Sequence, residues 1–186
     1  MINKINYPQN NFYEKEKQKA KDTIEKRKKD WYKIIYIEGV FDLLHPWHKA
    51  FFSYIRKKIK RILKDKFKIV VSVESDNIVK RKKWPTRPFE NEKIRKENVE
   101  KLEEVDLFVI NNDQLRNLID NLHYLKVDYL IISDEYIKNI KLFKKLIIPL
   151  LKKNWIKFIL SRHKQYKFFW VDESLATIHT TNILKD

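Results

Sequence analysis

No cysteine occurs among the 186 residues. That excludes disulfides, thiolate zinc sites, a cysteine nucleophile and thiol redox chemistry, and it fits a reducing compartment, the cytoplasm by default. No stretch has the apolar length that spans a bilayer, and the N-terminus MINKINYPQNNFYEKEKQKAKD lacks the apolar core of a secretory signal, so the chain reads as soluble with no membrane span. Glycine occurs once, at Gly39, beside an excess of Lys, Asn and Ile, which reads as drift toward an A/T-rich codon set. Acidic residues are few, 25 against 41 basic ones, and leave a formal charge of +16. Such a field concentrates polyanions: nucleic acid, nucleotide, phosphorylated metabolite or anionic lipid. Codon bias explains much of it and no nucleic-acid-reading motif accompanies it, so nucleic acid ranks last among the expected partners.

What is present suffices for a core. Hydrophobic residues make up 43% and aromatics 13%, far from a disordered composition, and the length fits one domain. Residues 11–31 (NFYEKEKQKAKDTIEKRKKDW) alternate charges with few apolar positions. They read as a solvated helical arm, 1–31, ahead of a domain at 32–186, with Phe12, Ile24 and Trp31 as docking points.

From there the pattern alternates. KIIYIEG (33–39) reads as a strand, followed after a turn by a helix opened by Pro46. FKIVVSVES (67–75) is a second strand, KKWPTRP (82–88) a loop, ENEKIRKENVEKLEE (90–104) an amphipathic helix and VDLFVI (105–110) a third strand. DQLRNLIDNLHYL (113–125) is helical with Asp113 as its cap, VDYLII (127–132) a fourth strand, 136–153 helical around Pro149, and WIKFIL (155–160) a fifth strand. Apolar strands separated by helices predict an α/β, Rossmann-like parallel sheet of about five strands with helices on both faces. In such sheets a ligand sits beyond the carboxyl ends of the strands, at the switch point of strand order. The segment from Gly39 to His48 lies at that edge.

IIYIEGVFDLLHPWHKAFF (34–52) then becomes the most informative stretch. His45 and His48, three residues apart on the first turn of a helix, lie on one side of it. A helix start offers free backbone N–H groups to phosphate, and two imidazoles beside it can donate hydrogen bonds to the non-bridging oxygens of a phosphorus centre as charge develops there.

GVFDLLHPWH resembles the HxGH signature of the cytidylyltransferase-like nucleotidyltransferases, a family that includes glycerol-3-phosphate, phosphocholine and phosphoethanolamine cytidylyltransferases and heptose-phosphate adenylyltransferases. The likeness continues through SVESDNIVKRKKWPTRPFENEKIRKENVEKLEEVDLFVI, VDYLIISDEY and IHTTNIL, in order, over about residues 33–184. It implies that a phosphate oxygen of a small phosphorylated alcohol or sugar attacks the α-phosphorus of CTP or ATP, cytidylyl transfer being the closer match, with pyrophosphate leaving and Mg²⁺ carried with the nucleotide phosphates. By the same resemblance Val40, Phe41 and Asp42 border the nucleotide, with Val40 and Phe41 presenting backbone, and His45 and His48 contact its phosphates. Lys82 reaches the phosphates from a loop, Arg95 matches the helix arginine among the catalytic residues, Glu135 takes the place of the turn aspartate at the nucleotide, and Thr180 and Thr181 meet the triphosphate. No resident metal ligand is expected, and the family habit implies a homodimer.

The sequence departs from the family at several positions. Trp47 replaces the glycine before the second histidine, Ser133 a turn glycine, Glu135 its aspartate and His179 a serine; Ser174 stands where an arginine is usual, with Arg162 the nearest upstream. These departures support a second reading, a nucleotide-binding or regulatory module with impaired catalysis. Tyr166, Phe168, Phe169 and Trp170 would shape an acceptor pocket, form a dimer contact or simply pack.

Overall fold

The computed structural model describes residues 11–64, 66–83, 86–112, 118–133, 148–153 and 156–161. Asp113, Glu135, Thr180, Thr181 and the aromatic segment 162–177 lie outside them.

The apolar runs form β1 (Lys33–Gly39), β2 (Phe67–Glu74), β3 (Leu107–Asn111), β4 (Tyr129–Ser133) and β5 (Lys157–Ser161). All their pairings are parallel, in the order β3-β2-β1-β4-β5. Helices α1 (Asn11–Lys29), α2 (Pro46–Leu63), α3 (Asp76–Lys82), α4 (Glu92–Glu100), α5 (Leu118–Tyr124) and α6 (Ile148–Lys153) supply the connections and covers. The order runs outward both ways from β1, so the carboxyl end of β1 opens onto the gap beside β4, the expected place for a ligand.

Two cores result, one on each face. Phe52, Ile55 and Ile59 of α2 and Val99 of α4 pack on Ile35, Ile37, Ile69 and Val71. Ala20 and Ile24 of α1, Leu122 of α5 and Leu151 of α6 pack on Ile34, Tyr36, Val70 and Leu130. The segment expected as a solvated arm is therefore a layer of the domain over 11–29: its charged positions face water and a thin stripe with Ile24 completely buried docks on the sheet. Of the other expected docking points, Phe12 is partly exposed and Trp31 is 86% exposed.

The amino ends of the central strands are pinned by the aspartates of the two Val-Asp pairs. Asp128 accepts from the Ile34 amide at 2.7 Å and from Lys28 at 2.5 Å. Asp106 accepts from the Ile69 amide at 2.9 Å, Lys68 at 2.7 Å and Arg56 at 3.0 Å. Burial alone would raise the Asp106 pKa, but these hydrogen bonds outweigh it and hold the carboxyl below its ordinary value.

Helix starts follow their caps. Pro46 opens α2 with His45 as the N-cap residue, and Asn91 caps α4 by accepting from the Lys93 and Ile94 amides at 3.0 and 3.1 Å. The short α3 falls where the sequence reading had a strand end followed by a loop. Ser75 caps it by accepting from the Ile78 amide, and Ile78 and Val79 are buried beneath it. Lys82 consequently belongs to the last turn of a helix, not to a loop.

Candidate functional site

The chain leaves β1 through Gly39, the sole glycine. A Cβ there would lie 2.8 Å from the Phe41 ring, closer than such atoms approach, so the absent side chain makes room for the phenyl group folded back on the strand end. Phe41 and Leu43 both adopt left-handed backbone, with φ of 52° and 47°. Each such residue without glycine costs about 1 kcal/mol or more, and it persists only where surrounding contacts enforce it.

Those contacts are present. The buried Asp42 carboxylate accepts from the Phe89 amide at 3.1 Å, the Glu90 amide at 3.0 Å and Arg87 at 2.7 Å. The Leu43 amide donates to Glu90 Oε2 at 3.1 Å, and Asn98 braces the same carboxylate. Arg95 is completely buried below the loop. Its NH1 donates to the Val40 carbonyl at 2.6 Å, NH2 to the Glu74 carbonyl and to Asp76 Oδ1 at 2.7 Å each, and Nε to the Glu90 carbonyl at 2.9 Å. The guanidinium thus ties the ends of β1 and β2 to the turn before α4.

On this clamped loop the two imidazoles come together. His45, in extended backbone at φ −97° and ψ 169°, uses no side-chain atom to cap α2. Its ring stacks on that of His48, with centroids 3.9 Å apart and planes inclined by 26°. The buried Phe41 meets His48 edge-on at 5.5 Å. Trp47, the conspicuous departure between them, is buried in the core with Phe41 and Phe52. Its indole fills the α2 side of the sheet, while His45 beside it is itself 8% exposed and His48 half-buried.

A second polar group occupies the same rim on the opposite face of the sheet, the face that α1 and α5 cover. Glu38 is the penultimate residue of β1, Glu74 closes β2 and Asn111 closes β3. Glu38 Oε2 accepts from Asn111 Nδ2 and from the Tyr36 hydroxyl, each at 3.2 Å. Glu74 is 3% exposed and pairs through Oε1 with Lys82 at 2.9 Å. Burial and then the neighbouring Glu74 charge push the Glu38 carboxyl up to about 7, against the opposing pull of Lys82.

The sequence-predicted residues are therefore dispersed in role. Val40, Phe41, Asp42 and His45 share one loop, and His48 stands on the first turn of α2 that follows it. Asp42 turns its carboxylate inward to the 87–90 turn, and Arg95 lies under the rim with every nitrogen engaged inside the protein. Lys82 is held by Glu74. Glu38, Glu74 and Glu90 were missed; for the first two the available signal was an acid at or next to the end of each of two largely apolar strands, KIIYIEG and FKIVVSVE.

Comparison with known proteins bears on the family and the fold. The chain is 30% identical over 104 residues to the bifunctional protein HldE of Gluconobacter oxydans, covering 56% of this chain and 20% of that protein. It is 34% identical over 104 residues to the bifunctional protein HldE of Hyphomonas neptunium, with 56% and 20% covered. The chain spans about a fifth of the length of these relatives. A lipopolysaccharide core biosynthesis protein from Thermoplasma volcanium GSS1 shares the fold, with a TM-score of 0.51 at 20% identity over 70% of this chain and 94% of that one. A family model described as cytidylyltransferase-like matches residues 36–186. A parallel sheet in this order, an imidazole pair at the exit of its first strand and that match identify the chain as a member of the cytidylyltransferase-like family.

Proposed function

We propose that the protein is a nucleotidyltransferase that joins a nucleotidyl group from CTP or ATP to a small phosphorylated alcohol or sugar and releases pyrophosphate. The observation that carries this reading is the stacked His45–His48 pair at the N-terminus of α2, on the carboxyl end of β1 at the switch point. There the first-turn amides and imidazole N–H groups favour negative charge. An acceptor phosphate oxygen attacks the α-phosphorus; the new P–O bond forms as the bond to the bridging oxygen breaks, and the electron pair leaves with pyrophosphate. The protein binds and aligns two polyanions and stabilises charge on the non-bridging oxygens. Mg²⁺ held by the triphosphate's own oxygens, with no ligand assigned from the chain, would supply charge neutralisation.

Within this reading Arg95, Asp42 and Glu90 are positioning residues that hold the strained loop in the shape the histidines need. By the resemblance, Glu135, Thr180 and Thr181 would meet the nucleotide, and Val40 and Phe41 would offer backbone to it. Cytidylyl transfer is favoured by the GVFDLLH stretch, and a homodimer by family habit.

One observation favours a second reading, a nucleotide-binding module without turnover: Lys82 is held by Glu74 instead of being turned toward the loop. Incubation with each NTP, Mg²⁺ and a panel of phosphorylated alcohols and sugars separates the two. Pyrophosphate release that requires the acceptor and is lost in His48→Ala supports the enzyme. Nucleotide binding without release supports the module.

A further inference from the structure

We propose that Glu74 is a positioning residue that keeps Lys82 withdrawn until nucleotide arrives, and that the triphosphate then takes the lysine while a proton replaces it on the Glu38–Glu74 pair. The proposal rests on the nucleotide site of the transferase reading, to which it adds a gate and its pH dependence.

Strand alternation places Tyr36, Glu38, Ser72, Glu74 and Asn111 on one sheet face, and the register sets Glu38 beside Ser72 and Glu74 beside Asn111. The buried Glu74 carboxylate accepts from Lys82 through Oε1 at 2.9 Å, and among the described residues its Oε2 has no hydrogen-bond partner. Its charge is therefore met on one side, by a lysine. That lysine is not buried with it. The Lys82 side chain is 44% exposed on the last turn of α3, so the ammonium can leave Glu74 while Ile78 and Val79 stay packed. The groups facing Glu38 are Glu74 from β2, Lys82 from α3, the Tyr36 hydroxyl from its own strand and the Asn111 amide from β3, which Asn121 of α5 approaches at 3.5 Å. Arg95 of α4 meets Glu74 at its backbone carbonyl.

Charge decides where Lys82 goes. A single carboxylate holds it, whereas a triphosphate presents several negative charges, so the ammonium follows the stronger field. Its departure leaves two neighbouring carboxyl groups, Glu74 buried and Glu38 half-buried, that cannot both stay ionised without a cation. Burial and then the Glu74 charge hold the Glu38 carboxyl up at about 7 against the pull of Lys82, and loss of that pull makes the pair bind a proton just above neutral pH. Nucleotide binding and proton uptake are thereby linked, and affinity falls as pH rises above that value. The contact that favours a module without turnover becomes, on this account, the resting position of a working lysine.

The test is calorimetric titration of the whole chain with CTP and with ATP, each with Mg²⁺, at about pH 7.5 in buffers of different ionisation enthalpy, which count the protons exchanged. The expected result is proton uptake on nucleotide binding. Glu38→Gln keeps both histidines and should abolish that uptake. Lys82→Met, whose acid pair already holds its proton, should abolish it too and weaken nucleotide about tenfold or more. Glu74→Gln releases the lysine and should tighten nucleotide about threefold or more. Uptake that survives Glu38→Gln overturns the proposal, because the histidines then account for it. A loss of affinity in Glu74→Gln that matches Lys82→Met also overturns it, and the proton count in Glu38→Gln decides the case even where Glu74→Gln fails to fold. Pyrophosphate release with phosphorylated acceptors reports on the transferase reading separately: nucleotide bound with this proton pattern but without release sinks that reading alone, and release without the pattern sinks this proposal alone. No binding of either nucleotide sinks both.

Discussion

At the residue scale the site is built from positions where one atom matters. Gly39→Ala would drive a methyl group into the Phe41 ring, 2.8 Å from its Cβ. The expected cost is about 1–3 kcal/mol of stability, measurable by urea denaturation, with a loss of nucleotide affinity as the ring is displaced from His48. On the proposed reaction His48→Ala removes a transition-state donor, so acceptor-dependent pyrophosphate release should fall about a hundredfold or more. Glu38 has the opposite sign from most acids. Its folded-state pKa is raised from 4.5 to about 7, so the folded chain holds a proton that the unfolded chain has released, and stability declines as pH rises through that window. Glu38→Gln should therefore raise Tm at about pH 8 and make little difference near pH 4. A Tm gain that does not vary with pH would refute the assignment. The histidine pair was legible because two imidazoles after an apolar strand are chemically conspicuous. Glu38 and Glu74 were not, because a charged residue at a strand end looks solvated until its neighbours are known.

At the scale of elements, hydrogen bonds that cross between segments hold the working loop. Asp42 gathers two amides and a guanidinium from the 87–90 turn, and Arg95 stitches β1, β2 and that turn through four acceptors. Arg95→Met retains volume and apolar packing but leaves the Val40 and Glu74 carbonyls without their buried donor. A loss of about 3 kcal/mol or more is expected. If Arg95 instead touched substrate, activity would fall with Tm unchanged, and thermal denaturation beside the pyrophosphate assay distinguishes the two. Asp106 acts in the ordinary direction: its lowered pKa supplies stability that is present above the unfolded value of 3.8 and is lost as pH falls through the lower folded value. The gap in stability between the wild type and Asp106→Asn should close on acidification into that range. Strand positions were readable from apolar runs bounded by turn residues. The short α3 was not, since seven residues ending in Lys-Arg-Lys show too little periodicity, and the Ser75 cap with two buried apolar residues decides it.

At the scale of the whole molecule, α1 is the surprise. Its sequence is so charged that it reads as solvated, yet Ala20 and Ile24 seal the second face of the sheet, and Tyr13, Glu16 and Lys28 reach Glu92, Lys96 and Asp128. Ile24→Ala should cost about 2–5 kcal/mol, as for a core residue, when followed by urea denaturation. An effect within a few tenths of that of a surface substitution would place the helix outside the domain. The charge of +16 acts over the same scale, and nucleotide affinity should fall as ionic strength rises. The alternation of buried runs and helices was enough to determine a parallel α/β sheet and to set the histidines at its carboxyl edge, because period and turn chemistry are local properties. Strand order, the inward turn of Asp42 and Arg95, the burial of Trp47 and the meeting of Glu38 with Glu74 were decided only by tertiary structure. Each depends on which distant segment lies beside the residue, and a side chain's solvation and charge partners follow from that neighbour.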